Sequence, residues 1–186
     1  MNRFNFTKTK LDGVYIIESK PICDERGYFE RYFCENDFKE IGFDKKIVQI
    51  NHSKTIGKGS IRGIHYQTPP FCETKIVRCL KGAIYDVAVD LRKDSPTFLQ
   101  YFGVELNEEN GKYLLIPEGF GHVFQSLSDE VEILYLVSES FHQEADSGLN
   151  PLDPRINIKY PVNIGNMSKK DKEVKFIDEN FSGVKI

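Results

Sequence analysis

The chain has 186 residues, which is most simply one domain spanning residues 1–186 with a substantial core. A hydrophobic fraction of 40% excludes a disordered chain, and a net charge of −3 with scattered basic residues excludes the pattern of a nucleic-acid binder. No apolar run is long enough to span a membrane and the first residues lack a signal-peptide core, so we expect a cytoplasmic protein without membrane contacts.

The cysteines give the same indication of the compartment. They are Cys23, Cys34, Cys72 and Cys79, and no two of them have the CxxC spacing. In a chain without a secretion signal, free thiols are expected rather than disulfides.

Short extended segments dominate the first third of the chain. We predict a strand over Gly13–Glu18, an extended aromatic segment over Tyr28–Phe33 and a strand over Ile47–Ser53. Residues 35–41 predict a short helix that ends at Gly42, because glycine readily adopts the left-handed conformation of a helix C-cap.

Three predicted strands follow in the middle of the chain, at Ile61–Gln67, Lys75–Leu80 and Ala83–Leu91. Alternation along the first strand predicts that His65 faces one side and Arg62 the other. The charged or titratable side chains of these strands include Arg62, His65, Lys75, Asp86 and Asp90. Because a purely structural meander rarely carries so many, we interpret the three strands as the floor of a polar pocket.

Further short runs continue to the C-terminus. Extended segments are predicted at 98–106, 112–116, 122–127 and 130–137, separated by turn signals. From Phe141 onward the chain is polar and proline-rich, which predicts a wrapping segment with one helical turn near residues 168–173. Many short strands with regular turns predict a β-sandwich or barrel.

Two spacings narrow this all-β prediction to a jelly roll. Gly59 followed by His65 resembles the first half of the cupin pattern, and Pro117–His122 resembles the second half. Metal-binding cupins have a second histidine where this chain has Gln67. Two imidazoles without a clear carboxylate partner fall short of the usual three protein ligands. We therefore expect a metal-free, cupin-type double-stranded β-helix with short peripheral helices.

Several motifs resemble those of the dTDP-4-dehydrorhamnose 3,5-epimerases. They are Arg62-Gly-Ile-His-Tyr-Gln67, Lys75-Ile-Val-Arg78, Asp86-Val-Ala-Val-Asp-Leu-Arg92, Ser95-Pro-Thr-Phe98 and Pro117-Glu-Gly-Phe-Gly-His-Val-Phe124. The resemblance implies an isomerase of bacterial surface-sugar pathways that acts on a nucleotide-linked 4-keto-6-deoxy sugar. It also implies that the enzyme uses no metal or organic cofactor and is a homodimer with shared strands.

The implied chemistry suits the residues that carry it. A ketone at C4 acidifies the hydrogens at C3 and C5, so epimerisation needs a base on one face of the sugar and an acid on the other. His65 is the candidate base, since an imidazole titrates near the operating pH. By resemblance, Asp171 orients His65, Lys75 stabilises the enolate oxygen and Tyr135 is the acid. Taken singly, His65 could be a core histidine, Lys75 and Asp171 solvated charges, and Tyr135 a packing residue. Four matched positions together disfavour these structural alternatives.

The resemblance also implies substrate contacts. They fall at Gln49, Asn51, Arg62, His122, Asp146 and Lys170, with Arg26 for the diphosphate, which a planar guanidinium binds in a bidentate manner. The chain departs from the family where Arg31 and Ile50 replace acidic residues. Glu30 lies one position from the expected acid and, on a strand, would face the opposite side. His52 and His142 match no family position, and we expect them to be surface or structural.

Three functions therefore stay open. The first is a C3 and C5 epimerase of a dTDP-linked sugar. The second is a single-centre epimerase or ketoisomerase that acts on a GDP-, CDP- or UDP-linked sugar, since the departures affect the substrate rim. The third is a sugar-binding cupin module without catalysis, which the retained His65, Lys75, Tyr135 and Asp171 disfavour because binding alone needs no acid opposite a base.

Overall fold

The computed structural model describes residues 2–186, and most of its regular structure is β-strand. The strands are β1 (Phe4–Lys8), β2 (Tyr15–Ser19), β3 (Ile22–Asp24), β4 (Gly27–Phe29), β5 (Gln49–Ile56), β6 (Ile61–Gln67), β7 (Lys75–Lys81), β8 (Ala83–Asp90), β9 (Tyr101–Asn107), β10 (Lys112–Ile116), β11 (Phe120–Ser126), β12 (Glu130–Val137) and β13 (Asp146–Gly148). The α-helices are α1 (Glu35–Phe38), continued by one 3₁₀ turn at Lys39–Ile41, and α2 (Lys169–Glu173). Neither helix in this part of the chain is long and apolar enough to cross a membrane.

The strands form two large antiparallel sheets and one hairpin. The six-stranded sheet has the order β1-β2-β10-β7-β12-β5, and the five-stranded sheet has the order β13-β6-β11-β8-β9. Strands β3 and β4 form the separate hairpin. Because β6, β7 and β8 alternate between the two large sheets, as β10, β11 and β12 do, the chain winds as a double-stranded β-helix. The predicted jelly roll is confirmed.

The inner faces of the two sheets pack on each other. Val77 and Ile133 of the six-stranded sheet share a fully buried apolar cluster with Ala88 and Phe124 of the five-stranded sheet. Burying a valine, isoleucine or phenylalanine side chain contributes about 1.5–3 kcal/mol to the free energy of folding. This cluster fills one part of the space between the sheets, and the polar pocket described below occupies another.

The outer faces are buried as well. On the six-stranded sheet, Phe38 of α1 packs against Ile76 and Tyr113. On the five-stranded sheet, the segment after β13 places Leu149 and Ile156 in a cluster with residues of β6, β8 and β11. The predicted wrapping segment is therefore confirmed, and it explains why every residue of β11 is buried.

Most predicted elements lie within a few residues of the observed ones. The helix ends at Gly42 in the left-handed conformation, with φ 76°, as predicted. The four cysteines are free thiols, also as predicted. The extended segment at 28–33 was predicted too long, because regular pairing in the β3–β4 hairpin ends at Phe29.

The strict alternation predicted for β6 is wrong. Gly63 pairs with Val123 and His65 pairs with His122, so Ile64 is an extra residue without its own partner on β11. Such a bulge reverses the side-chain alternation. Gly63 has φ 125° and its Cα lies against the β11 backbone, where a Cβ atom would come within 2.4 Å of the His122 carbonyl oxygen. The bulge therefore brings Arg62 and His65 to the same pocket, although an odd number of positions separates them.

Candidate active site

A polar cavity of about 300 Å³ opens between the two large sheets. Its lining is Gln49, Asn51, Ser53, Arg62, His65, Tyr66, Gln67, Glu73, Lys75, His122, Phe124, Tyr135, Val137, Phe141 and Asp146. The predicted pocket floor is thus partly confirmed. Strands β6 and β7 supply Arg62, His65 and Lys75, whereas Asp90 lies outside and binds Arg92. The volume suits a small ligand or one part of a larger ligand.

His65 and Asp171 form a close pair at one wall of the cavity. Nε2–H of His65 donates to Oδ1 of Asp171 at 2.7 Å, and the Asp171 side chain is only 4% exposed. The helix α2 positions the carboxylate, because its N-cap Ser168 accepts a hydrogen bond from the Asp171 backbone N–H at 3.0 Å. This contact uses Nε2, so Nδ1 is the ring nitrogen left for a ligand.

The surroundings of His65 favour its neutral form. Burial lowers the pKa of His65, while the hydrogen bond and charge of Asp171 act in the opposite direction and Lys75 adds to the lowering. The net direction is downward from the ordinary value of 6.5. A neutral imidazole held in one tautomer by a carboxylate can accept a proton at Nδ1 near neutral pH.

Lys75 and Tyr135 reach the cavity from the opposite sheet. The ammonium group of Lys75 lies 2.9 Å from the Glu73 carboxylate, and both side chains are mostly buried. The hydroxyls of Tyr135 and Ser53 lie 3.2 Å apart. Burial raises the pKa of Tyr135 to about 12, so its phenol stays protonated at neutral pH. The six-stranded sheet therefore presents a cation and a proton donor towards the sheet that carries His65.

His122 lines the cavity and is held in place by a second carboxylate. Its Nε2–H donates to Oδ1 of Asp86 at 2.7 Å, and both residues are buried. Asp86, from the third predicted strand, thus acts through His122 and does not line the cavity itself. Among residues 2–186, no group of three or more His, Cys, Asp or Glu side chains is arranged to hold a metal ion.

Most of the predicted substrate contacts surround the same cavity. Gln49 and Asn51 hydrogen-bond each other at 3.0 Å, and Arg62 donates to the Thr55 hydroxyl at 3.3 Å. Asp146 lines the cavity and forms an ion pair with Lys170, which lies outside the lining. The structure therefore groups these polar side chains around the rim, with Lys170 one contact further out.

Arg26 is not brought to this cavity. It lies on the β3–β4 hairpin, where its 83% exposed side chain pairs with Asp24. Glu30 turns inward, accepts a hydrogen bond from Tyr113 at 3.1 Å and lies 3.7 Å from the buried Arg78. Arg31 pairs with Asp37 at 3.6 Å. Glu30 and Arg31, which lie where the chain departs from the family pattern, thus contact residues on the outer face of the six-stranded sheet.

Two histidines were predicted to lie outside the site, and seven cavity residues were absent from the prediction. His52 is exposed beside Glu132, and His142 stacks on Phe71 outside the cavity lining. Seven cavity residues were not predicted to be part of the site: Ser53, Tyr66, Gln67, Glu73, Phe124, Val137 and Phe141. Ser53 continues the alternation of Gln49 and Asn51 on β5, and Glu73 lies two positions before Lys75, so period two was an available signal for both. Phe141 lies in a loop, where no such periodicity applies.

Comparisons with known proteins agree with this geometry. The family model described as dTDP-4-dehydrorhamnose 3,5-epimerase matches residues 8–179. A protein of that name from Shigella flexneri is 44% identical, covering 95% of this chain and 98% of its own. A dTDP-4-dehydrorhamnose 3-epimerase from Streptomyces niveus is 34% identical, covering 91% of this chain and 82% of its own.

A solved structure gives the same result in three dimensions. The epimerase from Legionella pneumophila, in complex with dTDP-4-keto-L-rhamnose, superposes with a TM-score of 0.91 at 36% identity. The match covers 97% of this chain and 98% of the Legionella chain. Sequence, fold and site geometry agree, and the chain belongs to the dTDP-4-dehydrorhamnose 3,5-epimerase family.

Proposed function

We propose that this protein inverts C3 and C5 of a dTDP-linked 4-keto-6-deoxy sugar, of the dTDP-4-keto-6-deoxyglucose type. One observation carries the proposal: His65 of the five-stranded sheet, paired with Asp171 of α2, faces Lys75 and Tyr135 of the six-stranded sheet across a single cavity. A sugar ring between the sheets would have a base on one face and a proton donor on the other. The names of the Shigella relative and the Legionella complex support the same substrate.

In the first step, neutral His65 removes the proton at C3 or C5 through Nδ1. The C–H bond electrons move into the ring and the C4 carbonyl becomes an enolate. Asp171 holds the imidazole in the required tautomer and stabilises the imidazolium that forms. Lys75 is the cation that the opposite sheet contributes to the cavity lining, and it stabilises the negative oxygen at C4.

In the second step, Tyr135 delivers a proton to the opposite face of the same carbon. The carbonyl reforms and the configuration is inverted. A phenol whose pKa is raised to about 12 keeps its proton until the basic enolate carbon receives it. The tyrosinate that results lies 3.2 Å from the Ser53 hydroxyl, which can donate a hydrogen bond to it.

The assembly that completes this site is a homodimer. Ile22, Tyr28 and Phe29 of the β3–β4 hairpin are exposed, as is Ile50 on the edge strand β5. Exposed apolar groups on a hairpin and a sheet edge support association with a second copy. In such a dimer Arg26 would reach the diphosphate of the substrate in the partner's cavity. The free thiols support the cytoplasmic location expected from the sequence.

A second candidate is epimerisation at C3 alone. The Streptomyces niveus relative carries that name and is 34% identical, so the family contains both outcomes. The catalytic set proposed here is compatible with either, because one base and one acid serve each centre in turn. The number of centres inverted is therefore decided by how the sugar rotates within the cavity.

The test is proton NMR of dTDP-4-keto-6-deoxyglucose with the enzyme in heavy water. We expect deuterium at C3 and C5 together with inversion at both carbons, and neither with His65→Asn. Inversion confined to C3 would assign the second candidate. Binding of dTDP without exchange at either carbon would reduce the protein to a binding module, and exchange only with GDP-, CDP- or UDP-linked sugars would change the nucleotide.

A further inference from the structure

Gln67 occupies the position where metal-binding cupins have their second histidine, and both the amine and the carbonyl of its side-chain amide form hydrogen bonds. Nε2 donates to the carbonyl oxygens of Phe71 at 3.0 Å and of Ser140 at 3.1 Å. Oε1 accepts from the backbone N–H of His142 at 2.7 Å. The residue is 5% exposed, so these three bonds are formed away from bulk water. Hydrogen bonds between a buried side-chain amide and the backbone are costly to lose, because the backbone groups stay buried without a partner.

The partners of Gln67 belong to the two segments in which the chain crosses between the large sheets beside the cavity. Residues 68–74 lead from β6 in the five-stranded sheet to β7 in the six-stranded sheet, and residues 138–145 lead from β12 back to β13. The first crossing connects His65 to Lys75 and the second connects Tyr135 to Asp146. One amide therefore joins two of the connections between the sheets that line the cavity.

Other contacts make the two crossings a single unit with Gln67 at its centre. The rings of Phe71 and His142 stack with centroids 3.7 Å apart and planes inclined by 14°. The backbone N–H of Thr74 donates to the Ser138 hydroxyl at 2.8 Å, and the Ser138 N–H donates to the Thr74 carbonyl at 3.1 Å. Movement of either crossing is thus transmitted to the other.

We infer that Gln67 is a positioning residue that sets the distance between the base on one sheet and the acid on the other. This inference rests on the proposed function, in which His65 and Tyr135 act on opposite faces of one carbon. Abstraction depends on His65, which lies on the same strand as Gln67, whereas reprotonation depends on Tyr135 across the gap. A change of about 1 Å in such spacing costs about 10²-fold in rate.

The test compares two variants that remove or weaken the hydrogen bonds of the Gln67 amide. Gln67→Leu removes all three hydrogen bonds without adding charge, and Gln67→Asn keeps the amide but shortens its reach by one methylene. With dTDP-4-keto-6-deoxyglucose in heavy water, we expect inversion to fall about 10²-fold in Gln67→Leu. Deuterium uptake with retained configuration should fall by less than about tenfold, so the ratio of uptake to inversion rises. Gln67→Asn should shift this ratio in the same direction by a smaller factor.

The matched control is Gln125→Leu. Gln125 is fully buried on the neighbouring strand β11, and its amide also joins two chain segments, since it donates to the Val162 carbonyl at 3.0 Å and accepts from the Val162 N–H at 3.3 Å. It does not line the cavity. We expect Gln125→Leu to lower the melting temperature while leaving the ratio of uptake to inversion unchanged. An unchanged ratio in both Gln67 variants, or an equal rise in the control, overturns the inference.

Amide hydrogen exchange provides a readout that needs no substrate. Residues 68–74 and 138–145 should exchange faster in Gln67→Asn than in the wild type, while Gln125→Leu should leave them unchanged. The two measurements together separate the two proposals. A wild-type protein that neither inverts the sugar nor exchanges its protons with heavy water defeats the proposed function. Crossings that are no more labile in Gln67→Asn than in Gln125→Leu defeat the inference about Gln67.

Discussion

Replacing Asp171 by asparagine removes the charge that orients the proposed base while preserving side-chain shape. The carboxylate accepts the Nε2–H of His65 at 2.7 Å and is almost fully buried. An asparagine amide can present either its oxygen or its N–H to the ring. When it donates, the imidazole proton moves to Nδ1, and the nitrogen that faces the substrate can no longer accept a proton.

The magnitude follows from the role of the pair. Loss of an effective general base costs about 10²–10⁴ in rate, which is about 2.7–5.4 kcal/mol in activation free energy. We expect Asp171→Asn to lower kcat for both deuterium uptake and inversion by this factor. KM should change little, because Asp171 lies behind His65 and does not line the cavity.

The pH profile adds a directional check. Activity needs neutral His65, so kcat/KM falls as the pH drops through the His65 pKa. Burial lowers that pKa, so the wild-type acid limb should lie below pH 6.5. Asp171 raises the pKa of His65 through its hydrogen bond and its charge. Without the charge, the acid limb of Asp171→Asn should move to still lower pH while the plateau falls.

The control is Asp153→Asn, a buried aspartate in the same C-terminal segment. Its carboxylate accepts backbone N–H groups from Arg155 and Ile177, so its replacement disturbs the segment without touching His65. We expect Asp153→Asn to lower the melting temperature and to keep the wild-type pH profile. An Asp171→Asn enzyme with near wild-type kcat and an unmoved acid limb would refute the role of the pair.

Three further predictions address the acid, the diphosphate and the metal. With Tyr135→Phe, the sugar should take up deuterium at C3 and C5 but should be inverted about 10²–10⁴-fold more slowly. Inversion at the wild-type rate by NMR would show that Tyr135 is not the acid and would leave only the assignment of His65 as the base. Arg26→Ala should raise KM more than it lowers kcat, because in the proposed dimer the guanidinium binds the diphosphate far from the reacting carbons; a wild-type protein that is monomeric by light scattering and fully active would contradict this. Exhaustive chelation should leave activity unchanged, whereas loss restored by one divalent ion would overturn the metal-free mechanism.

Local patterns were sufficient for most of the fold. Strands β10 and β12 have the predicted bounds, and the helix end at Gly42 follows from the conformational freedom of glycine. Strand β1 was not predicted. Phe4 is buried and Phe6 is partly buried in this strand, and both pack with Phe38 of α1, a tertiary contact that periodicity does not reveal.

The site was harder to predict where it depends on pairing between strands. The bulge that brings Arg62 and His65 to one cavity arises because Ile64 has no partner on β11. The isolated Gly63 in β6 was an available local signal for a bulge, but the pairing with β11 that fixes its position is not visible in the sequence. The inward turn of Glu30 depends on Arg78, which is distant in sequence and needs a buried anion nearby. Period-two alternation nevertheless runs through Gln49, Asn51 and Ser53 on β5. Extending the predicted contacts by one more step along it would have included Ser53, which contacts Tyr135.

The pairing of His65 with Asp171 links catalysis to completion of the fold. The two residues lie 106 positions apart, and the segment that carries Asp171 wraps the outside of a sheet that is already paired without it. Without the docked C-terminal segment, His65 has no carboxylate partner at Nε2. In the proposed mechanism, formation of the enolate therefore depends on the same docked segment that covers the outer face of the five-stranded sheet.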